Sequence, residues 1–249
     1  MQKIDIQMEA TSFSIGSVPT SMKDAPRTGS IKLSSKVAGG QSRNLEVSKW
    51  LPAAAEVYNI SKDIRDYVIV PVPSIISDIP NTNGDSASLK ELLKFNIKSG
   101  RLVYESWIGK PTCLEHDNKD PLKARGVILD SYLSPLRGFQ GNLAKVVKLM
   151  AYDRTKDPVL VDNILKRKIN TYSMGFMFKA YECSICGHIS TGQTFCGHTR
   201  PKQRTYRMND GRLAYRRCMW LDPIEISLVS DPAYVVAVSD IIMDPRGIT

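Results

Sequence analysis

Gly126-Val-Ile-Leu-Asp-Ser-Tyr-Leu133 and, after a short gap, Ala144-Lys-Val-Val-Lys-Leu-Met-Ala-Tyr152 form the stretch on which the fold turns. Both runs are rich in β-branched and aromatic residues and short enough to be single strands. Working outward toward the N-terminus, Val103-Tyr-Glu-Ser-Trp-Ile108 alternates and breaks at Gly109-Lys-Pro111. Thr112 to His116 reads as a second short strand and Asp117-Asn-Lys-Asp-Pro121 as a turn. Further out, Asp66-Tyr-Val-Ile-Val-Pro-Val-Pro73 reads as a strand stopped by prolines. On the other side, Ser173 begins or sits within a strand reaching about Tyr181, and Ile224-Glu-Ile-Ser-Leu-Val229 is the last, broken by Asp231-Pro232. Two helices interrupt the pattern. Ser88-Leu-Lys-Glu91 is a capping box followed by Leu89, Leu92, Leu93 and Ile97 at helical spacing, which predicts a helix ending at Gly100. Asp157-Pro158, an N-cap with proline at the first helical position, opens a second helix running to Lys168, with Leu160, Ile164 and Leu165 on one side. Many short strands and two helices predict an α+β, mainly β fold: a barrel or sandwich with flanking helices.

The first residues, to about Gln41, are rich in Ser, Thr, Gly and Lys without a sustained apolar period, so residues 1–56 are expected to form a flexible arm or a strand-and-loop lead-in. Residues 57–249 then make one domain, for which 42% hydrophobic composition supplies an ample core. The balance of 34 Lys+Arg against 25 Asp+Glu gives a net charge of +9, which favours acidic partners such as nucleic acid or an acidic scaffold protein. No window approaches the roughly 20 apolar residues that span a bilayer, and the first residues lack an apolar signal core. The chain is therefore expected to be soluble and not secreted.

Five cysteines, three of them between Cys183 and Cys196, do not form the spread framework of a disulfide-stapled protein. Cys183-x2-Cys186 has the tight spacing with which two thiolates meet one ion, and Cys196-x-His198 completes a tetrahedral Cys3His set. His188 is the competing fourth ligand. A closed set has no open coordination position, so the expected role is a structural zinc knuckle pinning an insertion over residues 181–200, rather than catalytic zinc. A knuckle can also touch nucleic acid, and Arg200-Pro-Lys-Gln-Arg-Thr-Tyr-Arg207 supplies a basic flank.

Three histidines are present and two lie in this insertion, leaving His116 for acid and base work. Ser173 is the best-placed nucleophile, because Gly175 permits close approach of a substrate backbone. Cys113 is a rival thiol, but on one extended strand positions 113 and 116 point to opposite faces.

In this order and spacing, Trp107-x-Gly-Lys-Pro111, Glu115-His116-Asp-Asn118-x-Asp-Pro121, Gly126-Val-Ile-Leu-Asp130, Thr171-Tyr-Ser-Met-Gly175 and Glu225-Ile-Ser-Leu-Val-Ser-Asp-Pro-Ala233 resemble the prohead proteases of large tailed bacteriophages, relatives in fold of the herpesvirus assemblins. The resemblance spans roughly residues 66–237. It implies an assemblin-like β-barrel and a serine endopeptidase that works inside the immature capsid in the host cytoplasm, digesting scaffold and trimming capsid proteins after glutamate. Carried over by motif, His116 is the base and Ser173 the nucleophile. Glu225 is the favoured third member and Asp231 the alternative; an exposed strand glutamate is the plainer reading of Glu225. The family chemistry does not require the zinc insertion. Ala54-Ala55-Glu56 matches the implied cleavage preference, which makes residues 1–56 a candidate propeptide removed by self-cleavage. The rival class is a zinc-stabilised, basic nucleic-acid-binding or structural virion protein without catalysis.

Overall fold

The computed structural model describes residues 47–136, 143–200, 204–234, 237–239 and 242–246, together with the backbone of four strands nearer the N-terminus. Those four, β1 (Asp5–Met8), β2 (Phe13–Ile15), β3 (Lys32–Lys36) and β4 (Ser42–Leu45), form one sheet in the order β2-β1-β3-β4. Residues 17–21 and 37–40 of the expected arm lie outside the described residues. Helix α1 (Val47–Tyr58) follows and crosses the boundary expected at residue 56. Val47, Leu51 and Ala55 recur every four residues and are buried, so the last part of the expected arm is a packed helix.

Strand β5 (Tyr67–Ile76) leads to β6 (Asp85–Ala87) and helix α2 (Leu89–Leu92). The expected helix to Gly100 stops after one turn. Ser88 does cap it, accepting from the Glu91 N–H at 3.0 Å. The Glu91 carboxylate does not return to the cap; it accepts from the N–H groups of Trp220 and Leu221 at 2.6 and 3.3 Å. Beyond it a small hairpin of β7 (Phe95–Asn96) and β8 (Arg101–Leu102) replaces the helix and leaves Ile97 88% exposed. The alternating run at 103–108 is likewise not a strand: Val103–Glu105 is a 3-10 turn that drops Trp107 into the core.

The remaining elements are β9 (Pro111–Leu114), β10 (Gly126–Pro135), β11 (Ala144–Asp153), α3 (Pro158–Leu165), β12 (Tyr172–Met177), β13 (Ala180–Cys183), β14 (Ile189–Ser190), β15 (Tyr206–Arg207), β16 (Leu213–Ala214), β17 (Arg216–Met219) and β18 (Asp222–Leu228). Six strands make the main sheet, in the order β12-β18-β9-β10-β11-β5, curled into a half-barrel so that its end strands β12 and β5 approach each other. A second sheet, β14-β13-β17-β6, carries the cysteine cluster. The fold is mainly β, as the strand pattern predicted.

The main sheet is buried on both faces, which explains its near-continuous apolar strands. On β11, Val146, Met150 and Tyr152 enter the inner core with Val70, Ile128 and Trp107. The intervening Val147, Leu149 and Ala151 meet α1 through Leu51 and Ala55 on the outer face. Fully burying a side chain such as Leu51 contributes about 1.5–3 kcal/mol toward holding α1 against the sheet. No helix among the described residues is long and apolar enough to cross a membrane.

Candidate active site and metal centre

Strand β18 lies between β9, to which it is parallel, and β12, to which it is antiparallel. The register sets Ser227 opposite Cys113 on one side and Ser173 on the other, and sets Glu225 opposite Gly175. Directly opposed residues share a face, so Ser173, Gly175, Ser227 and Glu225 lie together, away from Tyr172, Ile226 and Leu228 in the inner core.

His116 joins this group because the chain leaves β9 abruptly. Glu115 and His116 are consecutive left-handed residues, with φ of 46° and 58°. Such backbone costs on the order of 1–3 kcal/mol per residue and persists where surrounding contacts fix it. The contacts here are the His116 N–H donating to Ser227 Oγ at 3.1 Å and the Ser230 N–H donating to Glu115 Oε1 at 2.8 Å. The turn brings His116 Nδ1 to 2.7 Å from Glu225 Oε1. Ser227 Oγ, while accepting from His116, donates to the other carboxylate oxygen, Oε2, at 2.6 Å. Glu225 is completely buried, so the exposed-strand reading of this residue is corrected. Gly175 gives it room: a Cβ there would lie 2.3 Å from Glu225 Oε1.

The hydrogen bond to Glu225 raises the pKa of His116 against the opposing effect of its partial burial. Asp231 is exposed and makes no hydrogen bond to the ring, so the carboxylate that meets His116 is Glu225. Cys113 is buried, and desolvation followed by the Glu225 charge pushes its thiol up to about 12, a poor nucleophile at neutral pH. His116, Glu225 and Ser227 are thus hydrogen-bonded into one network. Ser173, buried, is paired with Ser227 in the strand ladder, and its hydroxyl makes no hydrogen bond to a described residue. A cavity of about 170 Å³ lies at the free side of β12, lined by Ser173, Gly175 and Phe176 together with Ser74, Asn83 and Tyr234.

One polar feature escaped sequence reasoning. Lys148 is fully buried in the inner face of β11. Its Nζ donates to Ser74 Oγ at 2.5 Å, touches Met174 Sδ at 3.9 Å and sits 4.1 Å from the centre of the Trp107 ring. Desolvation drives its pKa well down. Ser74 is the extra residue of a β-bulge, opposite the Val146–Val147 step, which turns it inward. The available signal was phase: in Val146-Val-Lys-Leu-Met150 the lysine shares a face with Val146 and Met150.

The metal-ligating atoms of Cys183, Cys186, Cys196 and His198 all lie within 4.8 Å of one another. They fit a tetrahedral ion by two further observations. The buried His198 Nδ1 has no hydrogen-bond partner, and the first cysteine pair sits in a knuckle whose Ile185 N–H points at Cys183 Sγ at 3.4 Å. Gly187, at φ 71°, closes that turn by donating to the Cys183 carbonyl at 3.0 Å. His188 is not one of the four; its backbone carbonyl accepts from Cys183 N–H. The set is compatible with zinc. Of the basic flank, residues 201–203 lie outside the described residues.

No family model, curated protein or solved structure matches this chain.

Proposed function

We propose that the chain is an assemblin-like serine endopeptidase of phage prohead maturation, which cleaves scaffold, capsid proteins and itself after glutamate. The observation that carries this reading is the His116–Glu225–Ser227 network held opposite Ser173 on the neighbouring strand. The curled half-barrel with flanking helices supports the assemblin-like description.

In this reading Glu225 accepts the Nδ1–H of His116, which fixes the tautomer and leaves Nε2 as the base. As Ser173 Oγ bonds to the scissile carbonyl carbon, its proton passes to Nε2, and the buried carboxylate stabilises the imidazolium. The proton then goes to the departing amine as the C–N bond breaks, leaving an acyl-enzyme. Water attacks this ester with His116 again as base, releasing the new carboxylate and restoring the Ser173 hydroxyl. The metal, when bound, supplies cross-linking of the knuckle and takes no part in these steps.

Incubation of wild type and Ser173→Ala with candidate scaffold protein, followed by mass spectrometry, tests the proposal. Wild type should cut after glutamate while the variant loses on the order of 10³-fold or more in rate. Equal cleavage by both proteins, or none by either, would overturn it. Intact mass in the same samples reads self-cleavage after Glu56, which stands in the last turn of α1.

A further inference from the structure

Between the second sheet and the cysteine knuckle runs a groove of about 600 Å³, more than three times the volume of the cavity beside Ser173. The two adjoin: Asn83, Asp85 and Phe178 line both. The groove follows the chain as it leaves β12, along Phe178 to Tyr181, and reaches Ser190 to Gly192 at the outer edge of the second sheet, where β14 is the end strand. β12 is itself an end strand, and beyond Tyr172, whose N–H is taken by the Ala237 carbonyl, no described strand pairs with its free side.

The lining has a definite chemistry. Phe178, Tyr181 and Phe195 give it aromatic walls, with Phe178 and Tyr181 packed edge to face and Phe195 43% exposed. At the junction with the Ser173 cavity, Asp85 and Arg216 neutralise each other at 2.7 Å. Lys179 and Arg204 have no carboxylate partner among the described residues, so the net charge facing the groove is positive.

We propose that this groove binds the part of an unfolded polypeptide substrate that lies away from the scissile bond, an extended segment bearing an apolar side chain and an acidic one. The apolar side chain packs on Phe178 and Phe195, and the acid meets Lys179 and Arg204. The knuckle thereby serves as one wall of the substrate channel. This assignment rests on the endopeptidase reading for its direction, but not for the binding event.

The probe is a randomised dodecapeptide library displayed on phage and selected on immobilised Ser173→Ala protein. The expected result is enrichment of sequences that pair an apolar with an acidic residue at a fixed spacing. Lys179→Glu/Arg204→Glu should lower the affinity of the selected peptides about tenfold and shift new selections toward basic residues. Phe195→Ser should remove the apolar preference, with metal content measured alongside to show that the knuckle is intact. No enrichment, or enrichment indifferent to these variants, overturns the proposal. Labelling of wild-type Ser173 by a fluorophosphonate is read separately: peptide enrichment without labelling sinks the endopeptidase reading and leaves the groove standing, and labelling without enrichment does the reverse.

Discussion

The network around Glu225 and the cluster around Cys183 both hold polar atoms in close geometry, by opposite means. Glu225, Ser227 and Ser173 are fixed by strand register, and the sheet that carries them is packed on both faces by apolar layers. The knuckle has little such support: Ile189 and Phe195 are exposed, and Cys183 is the one member of the Cys/His cluster that is buried. The first region keeps its shape through burial, and the second offers a cluster of side chains that could be tied together by an ion. The reaction centre proposed on the first therefore needs no metal, while the groove wall proposed on the second is expected to need one.

The largest effect should come from removing the ion. Structural zinc contributes about 10–16 kcal/mol of apparent folding free energy in zinc-finger peptides, more than the knuckle can recover from its own apolar contacts. Chelation, or Cys183→Ala, is expected to open residues 183–199 to proteolysis while the main sheet stays protected. Atomic emission should find one zinc per native chain and none in the variant. A variant that binds no metal and resists proteolysis as the native chain does would remove the contrast between the two regions.

Next in size are changes at Glu225. Glu225→Gln keeps the shape but removes the charge that holds the His116 ring in its tautomer, and should lower kcat/KM by roughly 10²–10⁴-fold. Because the hydrogen bond to Glu225 raises the His116 pKa, the neutral base appears only above the ordinary histidine range near about 6.5, and Gln should move the acidic limb of the pH profile downward. The sign for stability is the reverse: a raised folded pKa stabilises most below the unfolded value, and that contribution is lost as pH rises through the folded value. Gly175→Ala attacks the same pair sterically, since its Cβ would lie 2.3 Å from Glu225 Oε1. It should depress activity in the same direction with the fold intact. An unchanged pH profile in both variants would dissociate Glu225 from His116.

Much of the scaffold was legible. β10, β11, β18 and α3 follow from β-branched runs and from the Asp157-Pro158 cap, whose side chain does accept from Leu160 N–H at 2.9 Å. The cluster of Cys183, Cys186, Cys196 and His198 was readable from spacing alone. What failed was decided at long range. Ser88-x-x-Glu91 predicts a longer helix than exists because Glu91 is taken by the Trp220 and Leu221 amides, far away in sequence. The plainer reading of Glu225 was an exposed strand glutamate, but the packing that covers its face comes from other elements, so its complete burial was invisible. The left-handed pair at Glu115 and His116 carries no glycine to announce it, and it is what turns the histidine onto the carboxylate.

The smallest effect sharpens the comparison within the sheet itself. Glu225 has both oxygens engaged, one by His116 and one by Ser227, whereas Lys148 has a hydroxyl, a thioether and an aromatic face but no carboxylate partner among the described residues. A buried amine held this way keeps a lowered pKa, so the folded chain binds fewer protons than the unfolded one over the range between the two values. Stability then rises with pH across that range, and the penalty of burying Lys148 grows as pH falls. Lys148→Met matches the length of the stem and replaces the amine with an apolar end. It should leave stability unchanged or raise it by about 1 kcal/mol near neutral pH, since buried charge is often replaceable without loss. Thermal melts at about pH 6 and about pH 9 should show the gain to be larger at the lower pH. A variant equally destabilised at both values would mean that the ammonium is held charged by a partner, and that the inner face of the sheet, like the outer, carries a fully paired ion.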